Sequence, residues 1–236
     1  MQIQLFGGEF TLLHRFRSKK NRVYLVENSN GRFLLKLYRP PHHRRSAAEH
    51  GVLQEAYRRG AAVPQPLAFS EERALLLEYI AGENLCDLLN RRCRPVYADM
   101  LAEWFACFHR CFSRPGGTTL LRGDANLRNF VVSRRGALYG IDFEEAAPGR
   151  PEQDLGQICA SILDTEPMFT PAKAVLCRRL IVRYGQMAGR ENPEHSLAGP
   201  IAAALRESAR RRPQQRRHLL REAGRLERKG LAIYLS

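Results

Sequence analysis

Short runs of apolar, β-branched and aromatic residues open the chain, set between polar turns. Residues 9–16 (Glu-Phe-Thr-Leu-Leu-His-Arg-Phe) and 22–27 (Arg-Val-Tyr-Leu-Val-Glu) read as strands. Asn28-Ser29-Asn30-Gly31 reads as a turn, because Asn and Gly tolerate positive φ. Residues 32–39 then read as a third strand, stopped by Pro40-Pro41. A helical stretch follows at roughly 44–60, closed by Gly60 in the position of a C-cap, and Pro64 and Pro66 forbid further helix. Residues 73–80 (Arg-Ala-Leu-Leu-Leu-Glu-Tyr-Ile) are apolar enough for a central strand, and Gly82 breaks the pattern. Between 96 and 112, Val96, Met100, Leu101, Trp104, Phe105, Phe108 and Phe112 recur at helical spacing, which predicts a helix with a buried aromatic face. Residues 130–142 read as a β-hairpin turning at Arg134-Arg135-Gly136, and from about 152 onward the chain is mostly helical. Strands with one helix, then helices interrupted by one hairpin, predict an α+β protein in two lobes, residues 1–80 and 81–236, rather than a parallel α/β sheet.

Composition narrows the setting. The chain has 236 residues, 44% hydrophobic and 26% charged, a globular balance rather than a disordered one. No apolar run reaches the roughly 18 residues that span a bilayer, and the first residues carry no secretory pattern. The expectation is a cytoplasmic protein, or one peripheral at the inner face of a membrane. Six cysteines, at 86, 93, 107, 111, 159 and 177, form no Cys-x-x-Cys pair and read as reduced, apolar fillers. The net charge is +14, and residues 206–229 hold ten Arg or Lys against three Glu. Such a stretch suits RNA, an anionic membrane face or a phosphorylated substrate, or is simply a solvated helix face.

The chemistry concentrates in Arg122-Gly123-Asp124-Ala125-Asn126-Leu127-Arg128-Asn129, followed by the hairpin and Ile141-Asp142-Phe143-Glu144. A hairpin returns the chain near its start, so Asn129 and Asp142 are expected close together. Two such oxygen ligands suit Mg²⁺, while Asp124 across the loop can orient a hydroxyl proton. Lys36 stands in an apolar strand, where an inward charge needs a partner; Glu49 on the next helix is the natural one, nearer the helix start, with Glu55 the second possibility. Taken alone, such a lysine more often snorkels from an edge and such a glutamate is more often solvated.

Asp-x4-Asn, a hairpin and an Asp-Phe pair resemble the catalytic and metal loops of the protein-kinase-like superfamily. Gly before the Asp resembles in particular the aminoglycoside phosphotransferases, the lipopolysaccharide kinases and small atypical kinases. The resemblance implies an ATP-dependent phosphotransferase with Mg²⁺, Asp124 as catalytic base, and Asn129 and Asp142 as metal ligands. It further implies that Lys36, paired with Glu49, holds the α- and β-phosphates. Adenine would lie against the Glu78 carbonyl and the Ile80 amide in Leu75–Gly82, which resembles the hinge between the lobes. Asp154-Leu155-Gly156 resembles the residue that braces the catalytic loop, although Asp also favours a helix start.

The chain also departs from that pattern. Arg17-Ser18-Lys19-Lys20-Asn21-Arg22 stands where a glycine-rich phosphate loop is usual, so Lys19 and Lys20 would have to supply phosphate contacts. Arg122 replaces the usual His. Twelve residues separate Asp142 from Asp154, too few for a long activation segment. The leading expectation is therefore transfer to a hydroxyl of a small molecule or glycan, of the lipopolysaccharide-core or antibiotic-kinase type. An atypical protein kinase or ATPase resembling the RIO and KEOPS-associated kinases is the alternative, with the 206–229 stretch meeting RNA. A pseudokinase that binds a partner is the third. His109, His195 and the other histidines show no partner pattern and read as ordinary surface or core residues.

Overall fold

The computed structural model describes residues 2–40, 45–70, 73–189 and 193–234, with only the backbone described for 193–196. The His195 side chain, Pro41 and residue 44 lie outside what is described. The chain forms two compact units: Met1–Ala81 with Tyr139–Glu144, and Gly82–Leu138 with Glu145–Ser236.

The first unit is built on an antiparallel sheet of β1 (Gln2–Leu5), β2 (Gly8–Phe16), β3 (Arg22–Asn28), β4 (Gly31–Leu37), β5 (Pro66–Ser70) and β6 (Ala74–Glu78). Their order is β1-β2-β3-β4-β6-β5. Period-2 alternation puts Phe10, Val26, Leu35, Ala74 and Leu76 into one buried cluster, with Leu35 directly opposite Leu76. Strands β1 and β5 were not anticipated. The first is a four-residue edge, and the second begins at Pro66, whose missing N–H is tolerated on the edge strand it forms. Helix α1 (Arg45–Arg58) packs against β5 and β6. Its buried stripe is Ser46, Glu49, Leu53 and Ala56, at spacings of three and four. A carboxylate in that stripe is the anomaly, and it has a partner.

The second unit is mainly helical. It holds β7 (Gly82–Asn84), α2 (Leu85–Arg91), α3 (Pro95–Cys111), β8 (Thr119–Leu121) and β9 (Phe130–Ser133). The anticipated hairpin turn is closed by Ser133 N donating to Ala137 O at 2.8 Å and Gly136 N to Ser133 O at 2.9 Å, leading into β10 (Leu138–Gly140). Strand β11 (Ala147–Gly149) pairs with β8, and α4 (Pro151–Leu163), α5 (Pro171–Ala188), α6 (Pro193–Arg211) and α7 (Arg216–Lys229) follow. On α3, Trp104 stacks on Phe108 at 5.0 Å and meets Phe130 edge-on at 5.0 Å. Val96 departs from the expected buried stripe: it is 42% exposed in the first turn of α3, ahead of the packed aromatic face. Cys86, Cys111, Cys159 and Cys177 are buried, whereas Cys93 is exposed and is no core filler. Among the described residues no helix is long and apolar enough to cross a membrane.

Candidate active site

In the first unit one ammonium meets three carboxylates. Lys36 Nζ lies 2.7 Å from Glu49 Oε2, 2.9 Å from Asp142 Oδ1 and 2.6 Å from Glu144 Oε1. Strand β4 aims Lys36 inward and α1 aims Glu49 at it, so the pairing anticipated from sequence is present. Burial works against the lysine's charge, yet Glu49 and Asp142 outweigh it and hold the ammonium well above the ordinary lysine range. Burial likewise pushes the Glu49 carboxyl up, against the pull of Lys36. Glu49 is fully engaged, because its other oxygen accepts from Phe143 N at 3.0 Å and Oε2 also accepts from the Tyr38 hydroxyl. Burial, reinforced by Glu49, raises the Tyr38 phenol far above its usual range and keeps it a donor.

Asp142 and Glu144 are placed differently. The Asp142 side chain is 46% exposed, and its backbone takes φ 65°, the left-handed region that Asp tolerates better than most residues. Glu144 is buried, accepts from Asn21 Nδ2, and keeps its Oε2 without a hydrogen-bond partner among the described residues. One oxygen each from Glu49, Asp142 and Glu144 lies within 4.8 Å of the others. A group with more negative than positive charge, buried at Lys36 and Glu49 and open at Asp142, with an orphaned carboxylate oxygen, fits a divalent cation.

The remaining candidates of this unit lie on its turns. Lys19 and Lys20 are exposed between β2 and β3, while the neighbouring Asn21 is buried and accepts from Arg39 N at 3.4 Å. Glu78 ends β6, donating its amide to Gln65 O at 2.9 Å. Beyond it the Ile80 amide makes no hydrogen bond among the described residues.

In the second unit the loop after β8 carries Asp124. Gly123 has φ 77°, and a Cβ there would run into the backbone carbonyl of Glu145, so both torsion and space demand glycine. Asn129 Nδ2 donates to Asp124 O at 3.0 Å and to Asp124 Oδ2 at 3.1 Å, which leaves the amide oxygen as its ligand atom. The two sequence-based metal ligands fall in different units, Asn129 in the second and Asp142 in the first. Arg122 is fully buried; its guanidinium lies 4.7 Å from the Phe130 ring centre and donates to Asn129 O at 3.2 Å. Asp154 is fully buried and accepts from Arg122 N at 2.9 Å and Gly123 N at 3.4 Å. His109, read from sequence as an ordinary histidine, is bonded on both sides, to Asp154 Oδ2 at 3.2 Å and to the Tyr184 hydroxyl at 3.0 Å.

Sequence reasoning passed over Asn21, Tyr38 and Glu144. Only Glu144 carried a signal, as a second acid two residues after Asp142. No curated protein sequence matches this chain. A family model described as "Phosphotransferase enzyme family" matches residues 14–115, ending before Asp124. Among solved structures the chain is similar to the choline kinase LicA from Streptococcus pneumoniae, at 14% identity, covering 94% of each chain with a TM-score of 0.64. It is similar to an aminoglycoside-3'-phosphotransferase of type VIII at 17% identity, covering 80% of this chain and 90% of that one, with a TM-score of 0.62. The amicoumacin kinase hAmiN, solved with AMP-PNP, Ca²⁺ and Ami, gives 11% identity, 95% and 88% coverage and a TM-score of 0.59. With its antiparallel N-terminal sheet and helical C-terminal part, the chain shares the fold of these solved kinases.

Proposed function

We propose that this chain transfers the γ-phosphoryl group of ATP to a hydroxyl of a small molecule or glycan. The observation that carries this reading is the buried cluster in which Lys36 faces Glu49, Asp142 and Glu144 with one carboxylate oxygen left over. A purely structural cluster would balance its charges, whereas one built for a nucleotide and a cation leaves room for both. Lys36, held by Glu49, would meet the phosphates; the Glu78 carbonyl and Ile80 amide would take adenine. Lys19 and Lys20, exposed on the β2–β3 turn, would stand in for the missing glycine loop. Asp142 and Glu144 would hold a divalent cation, Mg²⁺ in the cell. Such an ion supplies neutralisation of the phosphate charge. Asp124 would orient the acceptor hydroxyl and take its proton, with Asn129 fixing the carboxylate.

The short interval between Asp142 and Asp154 supports a small acceptor. It is taken up by β11, paired with β8, and by the start of α4, which leaves little chain to dock a peptide. The similar structures named above act on choline, an aminoglycoside and amicoumacin, in keeping with a small acceptor. The net charge of +14 favours an anionic one, such as a phosphorylated sugar or sugar-lipid core.

The test is calorimetric ATP binding and ATP turnover with Mg²⁺. Asp142→Ala is expected to weaken nucleotide binding at least about tenfold, while Asp124→Ala keeps binding and loses about 100-fold or more in turnover. A wild-type chain that neither binds nor turns over ATP would sink the enzyme reading.

A further inference from the structure

Helix α4 sends three polar side chains to one loop. Besides Asp154 on the amides of Arg122 and Gly123, Gln157 Oε1 accepts from Ala125 N at 2.9 Å and Ser161 Oγ from Leu127 N at 3.1 Å. At about 100° per residue, positions 154, 157 and 161 share an arc of about 60°. Gly156 lies on the opposite side of the helix, where a Cβ would stand 2.6 Å from the backbone carbonyl carbon of Pro200 on α6. One face of α4 is thus set against the α6 backbone, and the other receives the loop. The loop is irregular from Arg122 to Asn126, so its amides find few partners in secondary structure of their own.

We infer that Gln157 and Ser161 are positioning residues. With Asp154 they fix alternate stretches of the loop backbone, and so the place of Asp124 and Asn129. The inference rests on reading Asp124 as the group that orients the acceptor. Gln157 and Ser161 act through backbone amides, not on the reacting atoms. Asp154 alone could anchor the start of the loop, but it reaches no further than Gly123. Ala125 lies between Asp124 and Asn126, and Leu127 begins the turn that ends at Asn129, so these two contacts continue the restraint along the loop.

The test pairs variants that delete an acceptor, Gln157→Met and Ser161→Ala, with variants that keep one, Gln157→Glu and Ser161→Thr. Two quantities are read on the full chain: hydrogen exchange at the Ala125 and Leu127 amides, with a core amide such as Val26 as reference, and Mg²⁺-dependent ATP turnover. Gln157→Met is expected to speed exchange at Ala125, and Ser161→Ala at Leu127, by about tenfold with Val26 unchanged. Each is expected to lower kcat about three- to tenfold with KM for ATP within about twofold. The acceptor-keeping variants restore both readouts. Unchanged exchange in the deleting variants, or equal loss of kcat in the Glu and Thr variants, overturns the inference. If the wild-type chain turns over no ATP, it is the kinase reading that fails, and exchange at the two amides still decides whether α4 holds the loop.

Discussion

Replacing Lys36 by methionine removes the ammonium and leaves Glu49 buried beside two further acids. Breaking a buried pair in this way is expected to cost about 3 kcal/mol or more of stability, measured by urea unfolding at neutral pH. The sign with pH follows from Glu49, whose carboxyl burial already pushes up. Without Lys36 its folded value rises further above the ordinary 4.5, so the deficit grows as pH rises through that value and shrinks below it. Arg122→Lys is expected to lower stability by about 1–2 kcal/mol, because an ammonium cannot both lie flat on Phe130 and reach Asn129 O as the guanidinium does. Lys36 and Glu49 were legible in sequence because a charge inside an apolar strand requires a partner. Asn21 and Tyr38 were not: their polar contacts, to Glu144 and Glu49, depend on tertiary placement across 123 and 11 positions of chain. Arg122 read as a departure, and only its aromatic surroundings show how a cation fits there.

At the scale of elements, α4 is held on two sides, by the loop that carries Asp124 and by the α6 backbone at Pro200. Gly156→Ala is expected to push α4 away from Pro200 and cost about 1–3 kcal/mol, read by thermal or urea unfolding. The brace at Asp154 was implied by the resemblance of Asp154-Leu155-Gly156, whereas Gln157 and Ser161 needed the loop's path to show what they accept from. A second electrostatic knot closes α7. Burial opposes charge on Glu222, but the Tyr234 hydroxyl with Arg221 and Arg225 outweighs it and holds the carboxyl below its ordinary value. The stabilisation is present above about pH 4.5 and lost as pH falls through the depressed folded value. Glu222→Gln is expected to be less stable than wild type at neutral pH and nearly equal to it in strong acid, by denaturant unfolding across pH. Helix periodicity predicted α3 and its aromatic face because Trp104, Phe105 and Phe108 are large and regularly spaced. The edge strands β1 and β5 escaped because four or five residues, one of them Pro66, hold too little alternation to signal a strand.

For the whole molecule, net charge overstates the free positive surface. Within 206–229, Arg206 pairs with Glu227, Arg210 and Arg211 with Glu207, Arg212 with Asp164, and Arg221 and Arg225 with Glu222. Arg216, Arg217 and Lys229 are exposed with no carboxylate partner among the described residues. Exchanging these three for Gln is expected to lower the salt at which the protein leaves a heparin column more than exchanging Arg206, Arg210 and Arg221 does. The two-unit organisation adds a constraint of another kind. Tyr139–Glu144 belongs to the first unit although the chain reaches it only after 57 residues of the second, Gly82–Leu138. During synthesis, Lys36 and Glu49 emerge from the ribosome long before Asp142 and Glu144 exist. The early sheet therefore waits, with two of the three acids around Lys36 unmade, until more than half the chain has been translated. A fragment ending at Ala81 would carry the lysine without two of its three acids, so splitting the gene at the apparent boundary yields two incomplete parts.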